Sequence, residues 1–160
     1  MKKGVIIFTV IVLTIVGALI YSEVQKLTTI EEAVTEDING SYTFMSVEAR
    51  SYVDEGYPNF TASISAIEDE ELIDPLLSEL STIELKENED VRLIEPKYYI
   101  GTTIRDQESD DYYSQKSVNV YFKEEHVRIN GQTYDIRDDS NPVEIFEEWI
   151  EQFELEWEEV

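Results

Sequence analysis

SVNVYFKEEHVRINGQTYDI, residues 117–136, decides the fold of this chain. Asn130-Gly131 separates two runs that alternate between apolar and polar residues, and Asn-Gly is the strongest short-range hairpin signal, because type I′ turns need positive φ at both central positions. A two-residue loop there pairs Val127 with Tyr134, and the preceding strand then places Phe122 opposite Val127. This register predicts a three-stranded antiparallel meander. Its apolar face combines Val120, Phe122, Val127, Ile129 and Tyr134.

Working outward, three other stretches predict strands because they alternate or are rich in β-branched and aromatic residues. For FTASISAI the alternation puts Phe60, Ala62, Ile64 and Ala66 on one face. Gly101 interrupts another of them and predicts a bulge or a close backbone approach. The three predicted strands are residues 41–47, 60–67 and 98–104, with a charged loop at 86–90 and an acidic turn at 106–111.

Two amphipathic helices are predicted between and after these strands. Asp69 is a good N-cap for the first, although Pro75 allows the alternative that Asp74 is the cap and Pro75 the first helical residue. Asn141 and Pro142 start the second. The sequence therefore predicts an α+β domain over residues 41–160, with an antiparallel sheet, a meander and two packed helices.

The N-terminal stretch Gly4–Tyr21 has no charged residue. At about 1.5 Å per residue a helix of this length reaches roughly 27 Å, close to the thickness of a bilayer core. We therefore predict a single transmembrane helix at residues 4–21, a cytoplasmic N-terminus at 1–3 and a helical stalk or linker at 22–40. A cleaved secretory signal and a buried core helix are the alternatives.

The charges predict the orientation and the location. Lys2 and Lys3 precede the apolar stretch, and positive residues at the end of a span favour the cytoplasmic side. The C-terminal domain is then extracytoplasmic, on a single-pass protein of the cell membrane. No cysteine is present, so neither a disulfide nor a lipid-modified cysteine is available.

The formal net charge of −24 limits the partners. Such a surface repels nucleic acid and anionic lipid headgroups, and it favours a basic envelope protein or a wall component. The net charge carries no information on the oligomeric state.

Three segments resemble small envelope proteins and lipoproteins of Gram-positive bacteria that have a domain of unknown function. The segments are ISAIEDEELIDPLL, PKYYI and VRINGQTYDI, within residues 64–136. Those proteins often carry a lipobox cysteine, which this chain lacks. The resemblance implies a fold and an envelope location, and no activity.

Few residues offer catalytic chemistry. His126 is the single histidine and lies opposite Asp135 in the predicted hairpin, where a His-Asp contact is an ordinary surface feature. One histidine and no cysteine leave a zinc site without ligands. We therefore predict no catalytic residue and no cofactor. The leading hypothesis is a non-enzymatic binding or interaction module of the bacterial cell envelope, and the alternatives are an acidic-residue hydrolase of wall polymers and a divalent-cation-binding domain.

Two clusters are weak candidates for binding. Asp106, Glu108 and Asp110 alternate like the start of an EF-hand loop, but Asp111 and Ser117 stand where that loop needs Gly and Glu. Five tyrosines suit either of two roles, which are packing within the sheet and an exposed patch for a glycan or a protein. They are Tyr98, Tyr99, Tyr112, Tyr113 and Tyr121.

Overall fold

The computed structural model of the chain describes residues 12–16, 27–38, 41–53, 58–91, 95–109 and 112–159. Three helices in this part of the chain are α1 (Ile30–Thr35), α2 (Glu70–Ser81) and α3 (Pro142–Gln152). The strands are β1 (Leu27–Thr29), β2 (Ser41–Ser51), β3 (Ala62–Ile67), β4 (Glu84–Glu87), β5 (Tyr98–Ser109), β6 (Tyr112–Phe122), β7 (His126–Ile129), β8 (Gln132–Ile136) and β9 (Glu158–Glu159). Residues 12–16 are also helical.

All nine strands form one antiparallel sheet in the order β1-β4-β8-β7-β6-β5-β2-β3-β9. The register predicted for the meander is confirmed, with Val127 opposite both Tyr134 and Phe122. Asn130 and Gly131 have φ values of 48° and 97°, which fit the positive φ of a type I′ turn. The apolar face of the meander is buried as predicted.

The three helices cover one face of the sheet and share a single core with it. Phe146 of α3 illustrates the packing, because its ring centroid lies 4.9 Å from that of Tyr98 and 5.5 Å from that of Phe122. Helix α3 is also tied to α2, since Trp149 Nε1 donates to the carbonyl oxygen of Leu72 over 2.7 Å. Each helix contributes three side chains to the buried core, which are Ile30, Ala33 and Val34, then Ile73, Leu76 and Leu80, then Val143, Phe146 and Trp149.

Both helix starts follow the predicted caps. The carboxylate of Asp69 accepts from the Glu71 N–H over 3.0 Å, and Asn141 caps α3 in the same way. The alternative start at Asp74 is therefore wrong, and Pro75 lies inside α2. The helix tolerates Pro75 because its buried residues on either side hold it to the sheet.

Four short elements were not predicted. Residues 27–38, assigned above to a stalk, form β1 and α1, so this part of the predicted linker belongs to the sheet and the core. The predicted charged loop at 86–90 overlaps β4, and the chain ends on β9 rather than on a helix. Three of these four are two to four residues long, too short for a recognisable alternation.

The predicted transmembrane helix requires a correction. Of the stretch Gly4–Tyr21 the structure describes residues 12–16, which are helical and have exposed side chains. No helix among the described residues is long and apolar enough to cross a membrane. The rest of the predicted span lies outside the described residues.

The predicted fold class is therefore wrong as stated. The sheet was expected to rest on two helices and to follow a transmembrane helix, whereas the described residues form a nine-stranded sheet with three helices on one face and include no spanning helix. The additional helix is α1, which replaces part of the expected stalk.

A β-bulge explains one local error in strand β3. Ala49 pairs with Ile64 and Val47 with Ile67, so β3 has one extra residue between these pairs. The bulge turns Ile67 toward the core and leaves Ala66 exposed, contrary to the simple alternation expected for this strand.

Gly101 makes a close approach rather than a bulge. Its pairing with Glu48 and Asn119 is regular, and the side chain of Tyr99 lies over it. The Tyr99 hydroxyl donates to Oδ1 of Asn119 at 2.8 Å and reaches Oε1 of Glu48 at 3.2 Å. A Cβ atom on Gly101 would collide with this hydroxyl and stand 2.9 Å from Cγ of Glu48. Residue 101 is glycine because the side chains of Tyr99 and Glu48 leave no room for a Cβ atom.

We therefore predict that Gly101→Ala lowers the free energy of unfolding by about 1–3 kcal/mol, the usual cost of overpacking. In a Tyr99→Phe background the colliding oxygen is gone and the Glu48 side chain can move aside, so the same substitution should cost less. Urea denaturation of the four proteins of this double-mutant cycle measures the coupling. Equal costs in both backgrounds would contradict the steric explanation.

Candidate functional site

An apolar cavity of about 430 Å³ lies between α1 and α2, on the sheet face that the helices cover. We call it the α1–α2 cleft. Helix α1 supplies one wall, α2 the other, and the middle strands β2, β5 and β6 form the floor. Its lining consists of Ile30, Glu31 and Val34, then Asp74, Leu77, Ser78, Leu80 and Ser81, then Phe44, Ile100, Thr102 and Val120.

The α1 wall is fixed at its start by a capping box. Thr29 Oγ1 accepts from the Glu32 N–H at 3.2 Å, and the Glu32 carboxylate accepts from the Thr29 N–H at 3.2 Å. The N–H of Ile30 also donates to the Ile83 carbonyl at 3.2 Å. These bonds matter because a helix of six residues is not stable alone and depends on its tertiary contacts.

Two side chains of the sheet hold the rest of α1. The Tyr42 hydroxyl donates to Oε1 of Glu31, and the Tyr42 ring packs edge-on against Phe44 in the cleft floor, with ring centroids 5.7 Å apart. Beyond the helix, Lys116 Nζ donates to the Asp37 carbonyl at 2.5 Å. The wall is therefore bonded to β2 and to β6.

The polar groups of the cleft are concentrated on its helices. Glu31 and Asp74 are exposed and lie on opposite walls, while Thr102 is the polar residue of the floor. Thr102 Oγ1 donates to the Ser46 carbonyl at 3.0 Å, so its hydroxyl proton is used within the sheet. None of the lining residues is Lys, Arg or His. The site is an apolar recess with a negatively charged rim.

His126 and Asp135 come together as predicted, on the outer face of the sheet. His126 Nδ1 lies 2.9 Å from Oδ1 of Asp135, and Asn88 Nδ2 donates to both oxygens of that carboxylate at 2.8 and 2.9 Å. This pair does not line the α1–α2 cleft. The arrangement links β7, β8 and the end of β4.

The three weak metal candidates are only partly described. Residues 106–109 lie in strand β5, so the predicted acidic turn is wrong there, and a strand does not have the curvature of an EF-hand loop. Asp106 is 1% exposed and its Oδ2 lies 3.1 Å from Lys116 Nζ. The side chain of Glu108 and all of Asp110 lie outside the described residues. Within the described part of the chain no three acidic, His or Cys side chains could hold a metal ion.

Two carboxyl groups have clearly lowered pKa values. For Glu147, burial alone would raise the pKa, but hydrogen bonds from Lys97 and Tyr98 outweigh it. For Asp138, burial is likewise outweighed by the N–H groups of Glu84 and Ser140. A glycosidase needs one carboxylic acid with a raised pKa. Neither group lines the cleft, and both shifts run in the opposite direction.

The five tyrosines do not form one patch. Tyr98 points into the core, whereas Tyr99 and Tyr121 contact each other on the outer face, with ring centroids 4.9 Å apart. The side chains of Tyr112 and Tyr113 lie outside the described residues.

The cleft was not expected from the sequence, because residues 30–35 were assigned to a stalk rather than to a helix packed on the sheet. A signal for this helix exists in the pair Thr29 and Glu32, because a Thr followed three residues later by Glu predicts a helix start. No family model matches the chain, and no curated protein or solved structure matches it significantly. The site must therefore be interpreted from its own geometry.

We predict that the Tyr42–Glu31 bond makes stability sensitive to alkaline pH. Burial first, and then the Glu31 carboxylate, raise the pKa of Tyr42 from about 10 to about 12. Unfolded tyrosine ionises near pH 10, so this stabilisation is complete below pH 10 and is lost between pH 10 and 12. Tyr42→Phe should lower the free energy of unfolding by about 1 kcal/mol at pH 7 and flatten the alkaline loss.

Thermal unfolding between pH 7 and 12 measures this effect. Tyr99→Phe is the matched variant, because burial and Glu48 also raise the pKa of Tyr99 to about 12 on the outer face. Both variants should flatten the profile. An unchanged slope for Tyr42→Phe would contradict the predicted coupling.

Proposed function

We propose that the chain is a non-enzymatic binding module of the bacterial cell envelope and that the α1–α2 cleft holds its ligand. The observation that carries the proposal is an open recess of about 430 Å³ that is lined mainly by apolar side chains of the core. Two other recesses among the described residues, of about 480 and 440 Å³, have more polar linings. The volume of the cleft lies in the range of small-molecule sites, and its few polar groups stand at the edge, as they do in such sites.

The composition of the cleft supports binding rather than catalysis. Ser78, Ser81 and Thr102 are the hydroxyl residues of its lining, and no histidine accompanies them to act as a base. The floor beneath a bound molecule consists of Phe44, Ile100 and Val120 beside Thr102. Such a surface gives apolar contact, and the two carboxylates of the lining, Glu31 and Asp74, stand at its edge.

The envelope location rests on the sequence. Three segments within residues 64–136 resemble Gram-positive envelope proteins, and this resemblance supports the location. At a cell surface the acidic domain would meet basic wall components and proteins as partners.

Filling the cleft tests the proposal. An uncharged probe, 1-octanol, is titrated into the full chain with labelled Ile, Leu and Val methyl groups, and NMR shifts are followed. We expect shifts at the cleft residues Val34, Leu77 and Val120. Leu77→Trp should weaken this binding at least tenfold, because the indole occupies the space of the ligand.

Leu72→Trp is the matched control, since Leu72 is half-buried on the same helix and does not line the cleft. This variant should bind 1-octanol like the original chain, and thermal unfolding of both variants shows whether they fold. The proposal fails if the methyl groups of the cleft do not shift, or if both tryptophan variants bind equally well.

A further inference from the structure

The two walls of the α1–α2 cleft place a carboxylate on each side of its mouth. Glu31 stands on α1 and Asp74 on α2, and both are exposed. The Tyr42 hydroxyl orients the Glu31 carboxylate by donating to Oε1. A carboxylate accepts about four hydrogen bonds, so Glu31 retains capacity for a donor on a ligand.

The two charged side chains that line the cleft have the same sign, and Lys116, beside α1, is paired with Asp106. The helices that cover this face expose further acidic residues, whereas three arginines of the sheet lie on the opposite face. Charges of one sign around an apolar recess raise the local concentration of oppositely charged ligands. The exposed acids on the helices include Glu32, Glu70, Glu71, Glu79, Glu144 and Glu151.

The three arginines lie on the face of the sheet opposite the cleft. Arg50 lies between the rings of Phe60 and Tyr99, with its guanidinium carbon 4.9 and 5.1 Å from their centroids. In the strand register Arg128 is opposite Tyr121, and Arg105 continues the same face of β5 as Tyr99. An anionic amphiphile in the cleft would therefore lack a cationic partner among the lining residues and would be repelled by the rim.

We propose that the α1–α2 cleft selects cationic amphiphiles, with the apolar part of the ligand on Phe44, Ile100 and Val120 and its ammonium group at Glu31 and Asp74. This inference rests on the proposed function and names the class of ligand. Apolar burial supplies most of the affinity, and each methylene that enters the cleft tightens binding roughly fourfold. The two carboxylates supply the selectivity, since exposed ion pairs contribute a few-fold each.

Four probes of matched structure test the inference on the full chain at pH 7 and low salt. They are octylammonium, 1-octanol, octanoate and methylammonium. We expect octylammonium to bind roughly tenfold more tightly than 1-octanol and octanoate more weakly than both. Methylammonium should not shift the methyl groups of the cleft, because it has no apolar chain. High salt should reduce the difference between octylammonium and 1-octanol.

Two double variants distinguish the effect of the two carboxylates at the cleft from the effect of the total charge of the protein. Glu31→Gln with Asp74→Asn should bind octylammonium and 1-octanol about equally, and the amide oxygen introduced by Glu31→Gln would still accept from Tyr42. Glu144→Gln with Glu151→Gln on α3 removes the same number of charges away from the cleft and should retain most of the preference. Loss of the preference in both double variants would overturn the role of the rim.

The different failures point to different conclusions. If 1-octanol binds in the cleft as tightly as octylammonium, or if octanoate binds more tightly, the inference on charge is wrong while the proposed function stands. If octylammonium shifts only residues outside the cleft, or methylammonium binds equally well, the surface merely attracts cations and the inference is wrong. If none of the octyl probes enters the cleft, the proposed function fails as well.

Discussion

One-sided burial of a wide sheet is the constraint on which the structure depends. Neighbouring strands lie about 4.8 Å apart, so nine strands make a sheet roughly 38 Å wide. Each helix with its side chains covers a strip of about 10 Å. The two long helices α2 and α3 are tied together by Trp149 and cover one part of this width, and the short helix α1 covers another. The α1–α2 cleft lies between them.

Around Gly101 the opposite face of the sheet buries apolar surface beneath its own side chains rather than beneath helices. Tyr99 is 6% exposed on a face that no helix of the described chain covers, because it lies flat over Gly101 and beneath neighbouring side chains. Arg50 extends its apolar stem and guanidinium between Phe60 and Tyr99, an arrangement in which a cation shields aromatic surface. Around Gly101 the outer face is therefore covered by its own side chains, whereas the helical face has an apolar recess between two helices.

The parts of this fold that the sequence predicts are those with local causes. The Asn130-Gly131 turn fixes its own register, and Asp69 and Asn141 cap the helices that follow them. The apolar residues of 27–38 recur at helical spacing, which suggests a continuous stalk and conceals the change from β1 to α1 at Thr29. The bulge between Ile64 and Ile67 is likewise set by its partner strand. No local sequence pattern predicts the cleft itself. It depends on how much of the sheet is covered by helices that are distant from each other in the sequence.

Glu31 connects the stability of the site with its proposed selectivity. Its carboxylate accepts from Tyr42 and thereby holds α1 over the floor, and it also stands at the mouth of the cleft. A six-residue helix has little stability of its own, so the position of this wall depends on such contacts. A cationic ligand that bonds to Glu31 would draw on the same carboxylate that anchors the wall. Ligand binding and the docking of α1 are then linked equilibria. If docking of α1 changes the affinity for the ligand, the bound ligand changes the docking equilibrium by the same free energy.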